Sequence, residues 1–246
     1  MTIFVTMKIL QSSIRSLGHL FVPRGCVVCR RILVEGEYLV CTACRWNMPL
    51  TNTCGDAHNP IREKLHAMFM AEQACSLFYY QKGSGYDNLI HRFKYQGKSA
   101  LSFALGKWLG EELKRSGLYG EIDIILPVPL HPLRLVKRGY NQSEALARGI
   151  GSVLKKKVDA GQLVRKVHNP SQTHRDSTDR WENVAGIFGV RRPERLAGKH
   201  ILLVDDVLTT GATLESCADT LRQAVPGCRI SAVTLAVSSK DIFGTM

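Results

Sequence analysis

Long apolar runs are missing from this chain. No stretch reaches the roughly 18–20 residues that cross a bilayer, which excludes a transmembrane span. A secretory signal is missing too: the apolar segment Thr2 to Met7 is short, and Lys8 follows it rather than precedes it. There is no internal repeat and no low-complexity tract. Acidic residues are few, 21 against 33 Lys and Arg in 246 residues, a net charge of +12. That balance suits a polyanion such as DNA, RNA or a membrane surface, or an enzyme for phosphorylated substrates, or only a soluble surface. Aromatics are 7% and rarely interleave with the basic residues, which weakens base stacking as a mode of binding. The remainder, 45% apolar and 22% charged, is a globular composition, and a cytoplasmic protein is the expectation.

Cysteine is plentiful, with eight. Cys26-Val-Val-Cys29 and Cys41-Thr-Ala-Cys44 are two CxxC pairs separated by eleven residues. Each pair wraps two thiolates onto one ion, and two pairs complete a tetrahedral shell. Soft thiolates and that geometry suit Zn²⁺. A closed set of four leaves no position for water, so the expected metal is structural. Cys54, with His58 after it, is a possible substitute ligand, while Cys75, Cys217 and Cys228 fall in apolar stretches and read as buried thiols.

Leu10, Ile14, Leu17 and Phe21 have helical spacing and predict a short amphipathic helix over 1–23. Met7 is a second possible start, because Thr2 to Thr6 add nothing to that pattern. The cysteine module follows over 24–60, its end a polar linker running from Gly55 to Lys64. A larger unit occupies 61–246. Within it, Ala74 to Tyr80 reads as a strand, Asp87 as the cap of a short helix carrying Leu89, Ile90 and Phe93, and Ser99 as the start of a longer helix. From Gly120 onward, strands alternate with helices: Ile122 to Leu126, a helix with Leu146, Ile150 and Leu154, then His200 to Asp205, a helix over Thr213 to Ala224, and Ile230 to Val237. Leu163 to Val167 and Ile187 to Val190 read as a hairpin, with a polar loop from His168 to Val184 between them. Lys155-Lys156-Lys157 is a solvated helix end. The alternation predicts an α/β fold with a mostly parallel sheet flanked by helices.

The strongest chemical signal is Ile201-Leu-Leu-Val-Asp205-Asp206-Val207-Leu208-Thr209-Thr210-Gly211-Ala212-Thr213. Four apolar residues make a buried parallel strand. Two carboxylates sit at its C-terminal end, where open α/β sheets bind ligands. The turn that follows offers backbone N–H groups and hydroxyls at a helix start, which suits a phosphate. Gly211 lets the backbone close around an anion without a Cβ in the way. A sugar phosphate satisfies both halves. A Walker loop is excluded, because Gly97-Lys98-Ser99 has Arg92 where its first glycine belongs. A phospho-receiver domain is excluded by the 41 residues that follow Asp205, too few for that fold.

Those thirteen residues resemble the phosphoribosyl-pyrophosphate (PRPP) signature of type I phosphoribosyltransferases. The wider arrangement resembles the ComF family, related to the GntX proteins and associated with competence and DNA uptake. Phe21-Val-Pro-Arg, Phe93-Lys94-Tyr95, Pro127-Val-Pro-Leu-His131, Arg138-Gly-Tyr-Asn-Gln-Ser143 and Arg180-Trp-Glu-Asn183 carry that narrower likeness. One departure is Ala57, where family members often place a second cysteine after the one matching Cys54. The resemblance implies PRPP held with Mg²⁺. Asp205 and Asp206 would accept hydrogen bonds from the ribose hydroxyls as the catalytic pair. Thr209 to Thr213, that is Thr209, Thr210, Gly211, Ala212 and Thr213, would cradle the 5-phosphate, with Val207 and Leu208 as further substrate-binding residues, and Val128, Pro129 and Leu130 would face the pyrophosphate. Arg175 and Arg180, on the loop that closes over the site, would contact the pyrophosphate, and Lys94, Arg138 and Asn141 would assist. It also implies single-stranded DNA or a DNA-uptake helicase as partners. The segment after the last strand offers little to grip a base, so the sequence names no acceptor. Three functions stay open: a transferase with an unknown acceptor, a PRPP-binding protein without turnover, and a DNA-interacting competence protein.

Overall fold

The computed structural model describes residues 25–80, 86, 89, 90, 93, 99–166, 186–239 and 242. The predicted helix over 1–23, Asp87, Lys94 and the loop with Arg175 and Arg180 lie outside the described residues.

Five parallel strands form the centre. β1 is Ala74–Tyr80, β2 Ile124–Pro127, β3 Lys157–Val158, β6 His200–Leu208 and β7 Arg229–Ser238, in the order β1-β7-β6-β2-β3. β4, Leu163–Arg165, and β5, Phe188–Val190, form the expected antiparallel hairpin. The helices are α1 (Thr42–Trp46), α2 (Pro60–Phe69), α3 (Ser99–Ser116), α4 (Pro132–Arg138), α5 (Gln142–Leu154) and α6 (Ala212–Ala224). None of those described is long and apolar enough to cross a membrane.

The sheet is apolar on both faces, as a parallel sheet covered by helices must be. Successive strand residues serve opposite layers. Leu202, Val204, Val233 and Leu235 pack under α3 and α5, with the cysteine module on the same side. Ile201, Leu203, Ile230 and Ala232 pack under α2, α6 and the hairpin. α3 buries Leu101, Leu105, Leu109 and Leu113 along one stripe, each worth roughly 2 kcal/mol. It crosses α5 at glycines: a Cβ on Gly106 would lie 2.1 Å from the Leu146 carbonyl oxygen, and one on Gly149 would lie 2.2 Å from that of Phe103.

The second half of the segment read as a polar linker is the start of α2. Asn59 caps it, its Oδ1 accepting from the N–H groups of Ile61 and Arg62 at 3.0 Å each, and Pro60 takes the first turn. Ile61, Leu65 and Phe69 then face the core. That spacing was present in the sequence, but the polar residues before it masked its start. The cysteine module is joined to the sheet rather than set apart from it. Leu50 bridges Phe78 antiparallel, Thr51 N–H donates to Leu77 O at 3.1 Å, and Tyr79 N–H donates to Pro49 O at 2.7 Å. Val27, Val28, Val40 and Met48 share the core layer of α3.

Candidate functional site

β2 and β6 are neighbours, yet their outgoing connections diverge. β2 leads through α5 to β3 on one side, and β6 leads through α6 to β7 on the other. The chain therefore parts between their C-terminal ends and leaves a crevice, the place where open α/β sheets take ligands. The two stretches singled out in the sequence meet there. Val128 N–H donates to Val204 O at 2.9 Å, which sets the Val128–Leu130 loop directly beside Asp205.

β6 runs further than predicted, to Leu208, because Asp205, Val207 and Leu208 stay in register with Thr234, Ala236 and Val237 of β7. Asp205, Asp206 and Val207 are half-buried, at the rim of the crevice. Leu208 is 2% exposed, so it offers only backbone groups. Thr209 and Thr210 are exposed, as is Thr213, and Ala212 is half-buried. Gly211 is the residue before α6, at φ 98°, a conformation that L residues with a side chain seldom take. Gly211 occupies the cap position, and the helix begins at Ala212, one residue before the expected start. Gly211 and the first residues of α6 place backbone N–H groups at the positive end of a thirteen-residue helix, a position suited to an anion, with Thr210 Oγ1 accepting from the Ala212 N–H at 3.4 Å. A side chain at Gly211 would meet Met68 Sδ of α2 at 2.8 Å.

The Arg138–Ser143 segment joins the two halves of the crevice. Asn141 Nδ2 donates to Val128 O at 3.1 Å, and its Oδ1 caps α5 through Ser143 N–H at 3.1 Å. Ser143 Oγ donates to Asp205 Oδ1 at 3.0 Å, and Asp206 N–H donates to the same oxygen at 2.8 Å. The Asp205 carboxylate is thus oriented by two donors. Arg138 reaches back to Gln142 Oε1 at 3.1 Å. Tyr140 OH donates to Phe93 O at 2.6 Å, which ties this segment to the element before α3.

Three residues at this site were not singled out by sequence. Lys64 on α2 donates from Nζ to Thr209 O at 3.2 Å, which brings a cation to the turn. Ser143 ends the Arg138–Ser143 motif, whose sequence alone marks no role for its hydroxyl. Arg165 of β4 lies over the Phe188 ring at 5.5 Å, and its buried Nε has no hydrogen-bond partner among the described residues. Burial lowers its pKa first, the Arg134 charge lowers it further, and Asp205 opposes both. Lys64 and Arg165 reach the crevice across long sequence separations, so no local pattern marks them.

The second cluster is the thiol shell. The sulfurs of Cys26, Cys29, Cys41 and Cys44 all lie within 4.8 Å of one another. A Zn–S bond near 2.3 Å in a tetrahedron requires sulfurs about 3.8 Å apart, and Cys29 and Cys41 stand at 3.7 Å. Backbone N–H groups of Cys41 and Cys44 point at the sulfurs of Cys26 and Cys41, at 3.4 and 3.5 Å. Donated by Cys44, the latter holds the Cys41 thiol down to about 6. For Cys26 burial acts upward, but backbone donors, that of Cys29 first, prevail and lower it. Burial pushes Cys44 up. These residues can hold a metal such as zinc, and the N–H donors favour the thiolate form a metal needs. Cys54 and His58 are not part of this cluster. Cys75 and Cys217 are buried, as predicted, while Cys228 is only half-buried.

Comparison with known proteins follows the same division. The model of the phosphoribosyl transferase domain matches residues 120–242, half of the chain, from the turn before β2 to just past β7. The "DNA utilization protein YhgH" of Escherichia coli O6:H1 is 28% identical over 214 residues, covering 82% of this chain and 92% of the relative. The "Competence protein F" of Haemophilus influenzae is 31% identical over 140 residues, 55% of this chain and 61% of the relative. Among solved structures, the glutamine PRPP amidotransferase from B. subtilis superposes with a TM-score of 0.40 at 17% identity, over 58% of this chain and 30% of that enzyme. On the family match across the crevice, and with ComF-type relatives, this chain belongs to the phosphoribosyl transferase domain family.

Proposed function

We propose that the crevice binds PRPP and that the protein transfers its phosphoribosyl group to an acceptor the structure does not name. The observation that carries this reading is the pairing of an oriented carboxylate with an anion cradle on one continuous stretch. Asp205 is held by Ser143, and Gly211 opens the cradle six residues later. Asp205 and Asp206 accept hydrogen bonds from the ribose hydroxyls. The N–H groups from Thr209 to Thr213 hold the 5-phosphate, with the Lys64 charge beside them. Val128, Pro129 and Leu130 face the pyrophosphate, with Arg138, Arg165, and Arg175 and Arg180 as its cationic contacts. Asn141 fixes the Val128 carbonyl in that loop. Lys94 completes the set.

The reaction displaces pyrophosphate from C1 of the sugar. Positive charge grows on the ribose and negative charge on the leaving group. The fixed carboxylates favour the former, and the arginines stabilise the latter, an effect worth several kcal/mol in a water-poor site. Mg²⁺ fits as a companion of the substrate. Among the described residues no carboxylate cluster gathers to hold a resident ion, and Mg²⁺ is ordinarily bound through one or two carboxylates plus substrate oxygens. When bound, it neutralises charge on the leaving pyrophosphate. Structural Zn²⁺ in the four-cysteine shell, which needs reduced thiols, makes the cytoplasm the place of action in this reading.

The test is pyrophosphate release from PRPP and Mg²⁺ across a panel of nitrogen-base and amine acceptors. Release by the wild type and its loss in Asp205→Asn/Asp206→Asn is the expected outcome. Saturable PRPP binding without release under every acceptor would leave a PRPP-binding protein without turnover instead.

A second reading rests on the cysteine module. Trp46 is 88% and Tyr38 60% exposed there, and Arg30, Arg31 and Arg45 of the same module are exposed too. Exposed rings and cations on one small module suit the bases and phosphates of single-stranded DNA, and relatives are named for DNA utilization and competence. A strand affinity that falls steeply with salt and is weakened in Trp46→Ala supports it, and an affinity indifferent to both removes it.

A further inference from the structure

Outside the metal-binding shell, two thiols meet. Cys54 is the middle residue of a 3-10 turn, Thr53–Gly55, and Cys75 is the second residue of β1. Their sulfurs stand 2.7 Å apart, with Cys54 7% and Cys75 1% exposed. The backbone around them is clamped on both sides. Asn59 Nδ2 donates to Thr53 O at 3.2 Å and to Ala74 O at 2.9 Å, and Ser76 N–H donates to Thr53 Oγ1 at 3.3 Å. Turn and strand therefore hold the two sulfurs together without any bond between them.

The two thiols differ in access. Cys54 lines an open cavity of about 400 Å³, whose wall includes Gly55, Leu77, Glu112, Arg115 and Ser116. Cys75 does not line it and lies behind Cys54, close to Tyr119. Burial, first of all, keeps the Cys75 thiol protonated.

We propose that Cys54 and Cys75 form a reactive dithiol, which a low-molecular-weight disulfide such as oxidised glutathione converts, through this cavity, into an intramolecular disulfide. Cys54 gives up its proton, and its thiolate attacks one sulfur of the reagent. A mixed disulfide forms and one glutathione thiolate leaves, taking that proton. Cys75 then loses its proton and attacks the Cys54 sulfur of the mixed disulfide. The protein disulfide forms and the second glutathione thiolate leaves, taking the second proton. Two protein thiols are oxidised and one glutathione disulfide is reduced to two thiols.

The new bond closes the segment from Cys54 to Cys75, which carries α2. That helix places Lys64 on Thr209 and Met68 against Gly211. Oxidation staples the wall of the anion cradle to the edge of the sheet. The thiol chemistry itself does not depend on the crevice binding PRPP.

The test uses the full chain loaded with zinc, incubated with oxidised glutathione, then alkylated in denaturant and mapped by mass spectrometry. The expected result is a peptide pair cross-linked through Cys54 and Cys75, with a raised melting temperature, because the bond restricts the unfolded chain. In Cys75→Ser, glutathione stays on Cys54 as a stable adduct, and in Cys54→Ser no adduct forms at Cys75. Both thiols of the wild type still free for alkylation in denaturant after the oxidant treatment, under conditions that oxidise a small dithiol control, overturns the proposal. So does glutathione retained on wild-type Cys54 with no cross-link. The wild-type map decides the matter even if a variant fails to fold.

Discussion

Ser143 donates its hydroxyl proton to a carboxylate 62 positions along the chain, and this bond, with that of the Asp206 N–H, orients Asp205 at the crevice. Hydrogen bonds to charged groups contribute about 1.5 kcal/mol or more. Ser143→Ala is therefore expected to weaken PRPP binding about tenfold while leaving the circular dichroism spectrum and melting temperature nearly unchanged. Titration calorimetry beside a melting curve separates the two effects, and unaltered affinity would remove Ser143 from the site. A second residue-scale expectation concerns pH. His200 is 4% exposed, its Nε2 meets Ser231 Oγ at 2.9 Å, and its buried Nδ1 has no hydrogen-bond partner among the described residues. Burial first, and then Arg229, lower its pKa from the ordinary 6.5. The unfolded chain takes up that proton before the folded one does, so it binds more protons as the solution becomes acidic. Stability present above the unfolded value is lost as pH falls through it towards the lower folded value. Melting temperatures measured from neutral pH downward should decline below about 6.5, and less so in His200→Gln. An equal decline in both proteins would assign the effect elsewhere.

At the scale of elements, the crossing of α3 and α5 depends on two helices meeting backbone to backbone. A methyl group on Gly106 must displace the Leu146 carbonyl, because the 2.1 Å contact leaves no room for it. Gly106→Ala is expected to destabilise by about 2–3 kcal/mol despite the better helix propensity of alanine, and urea denaturation reads this directly. Stabilisation would show that the helices can slide apart at no cost. Elements with local signals were legible in the sequence. The strand with Asp205 and Asp206, the turn and α6 are contiguous, and the alternation of apolar residues with turn chemistry marks each in place. The hairpin of β4 and β5 was legible for the same reason. α2 was not, since its apolar stripe is only three residues and follows a polar capping stretch. α4 was missed as well: its exposed Leu133 and Val136 make no buried face to read. The extension of β6 to Leu208 depends on its pairing with β7, information that lies outside the strand itself.

On the scale of the whole molecule, the cysteine module and the sheet share one core, so a metal held by the four thiols would be coupled to the fold. Val27, Val28, Val40 and Met48 pack with the leucines of α3, and Arg45 lies over the Trp108 ring at 4.9 Å. A four-thiolate site contributes on the order of 10 kcal/mol to ordering such a module. Elemental analysis is expected to find about one zinc per chain. A strong chelator should lower the melting temperature and shift the fluorescence of Trp108 as its packing loosens. A well-folded, metal-free preparation with the same melting curve would contradict this. The thiol shell was legible because ligand spacing is written in sequence. The long-range members of the crevice, Lys64 with Thr209 across 145 positions and Ser143 with Asp205, were not, because only the assembled fold brings them together. The acceptor is legible at neither level.

The central claim is that the edge between β2 and β6 holds a pentose carrying a terminal phosphate. Calorimetric titration of PRPP, with and without Mg²⁺, into the wild type and into Asp205→Asn/Asp206→Asn tests it most directly. The account requires saturable binding at one site per chain, strengthened by Mg²⁺ and lost or greatly weakened in the variant. Heats that never saturate, or an affinity the two substitutions leave intact, would contradict it.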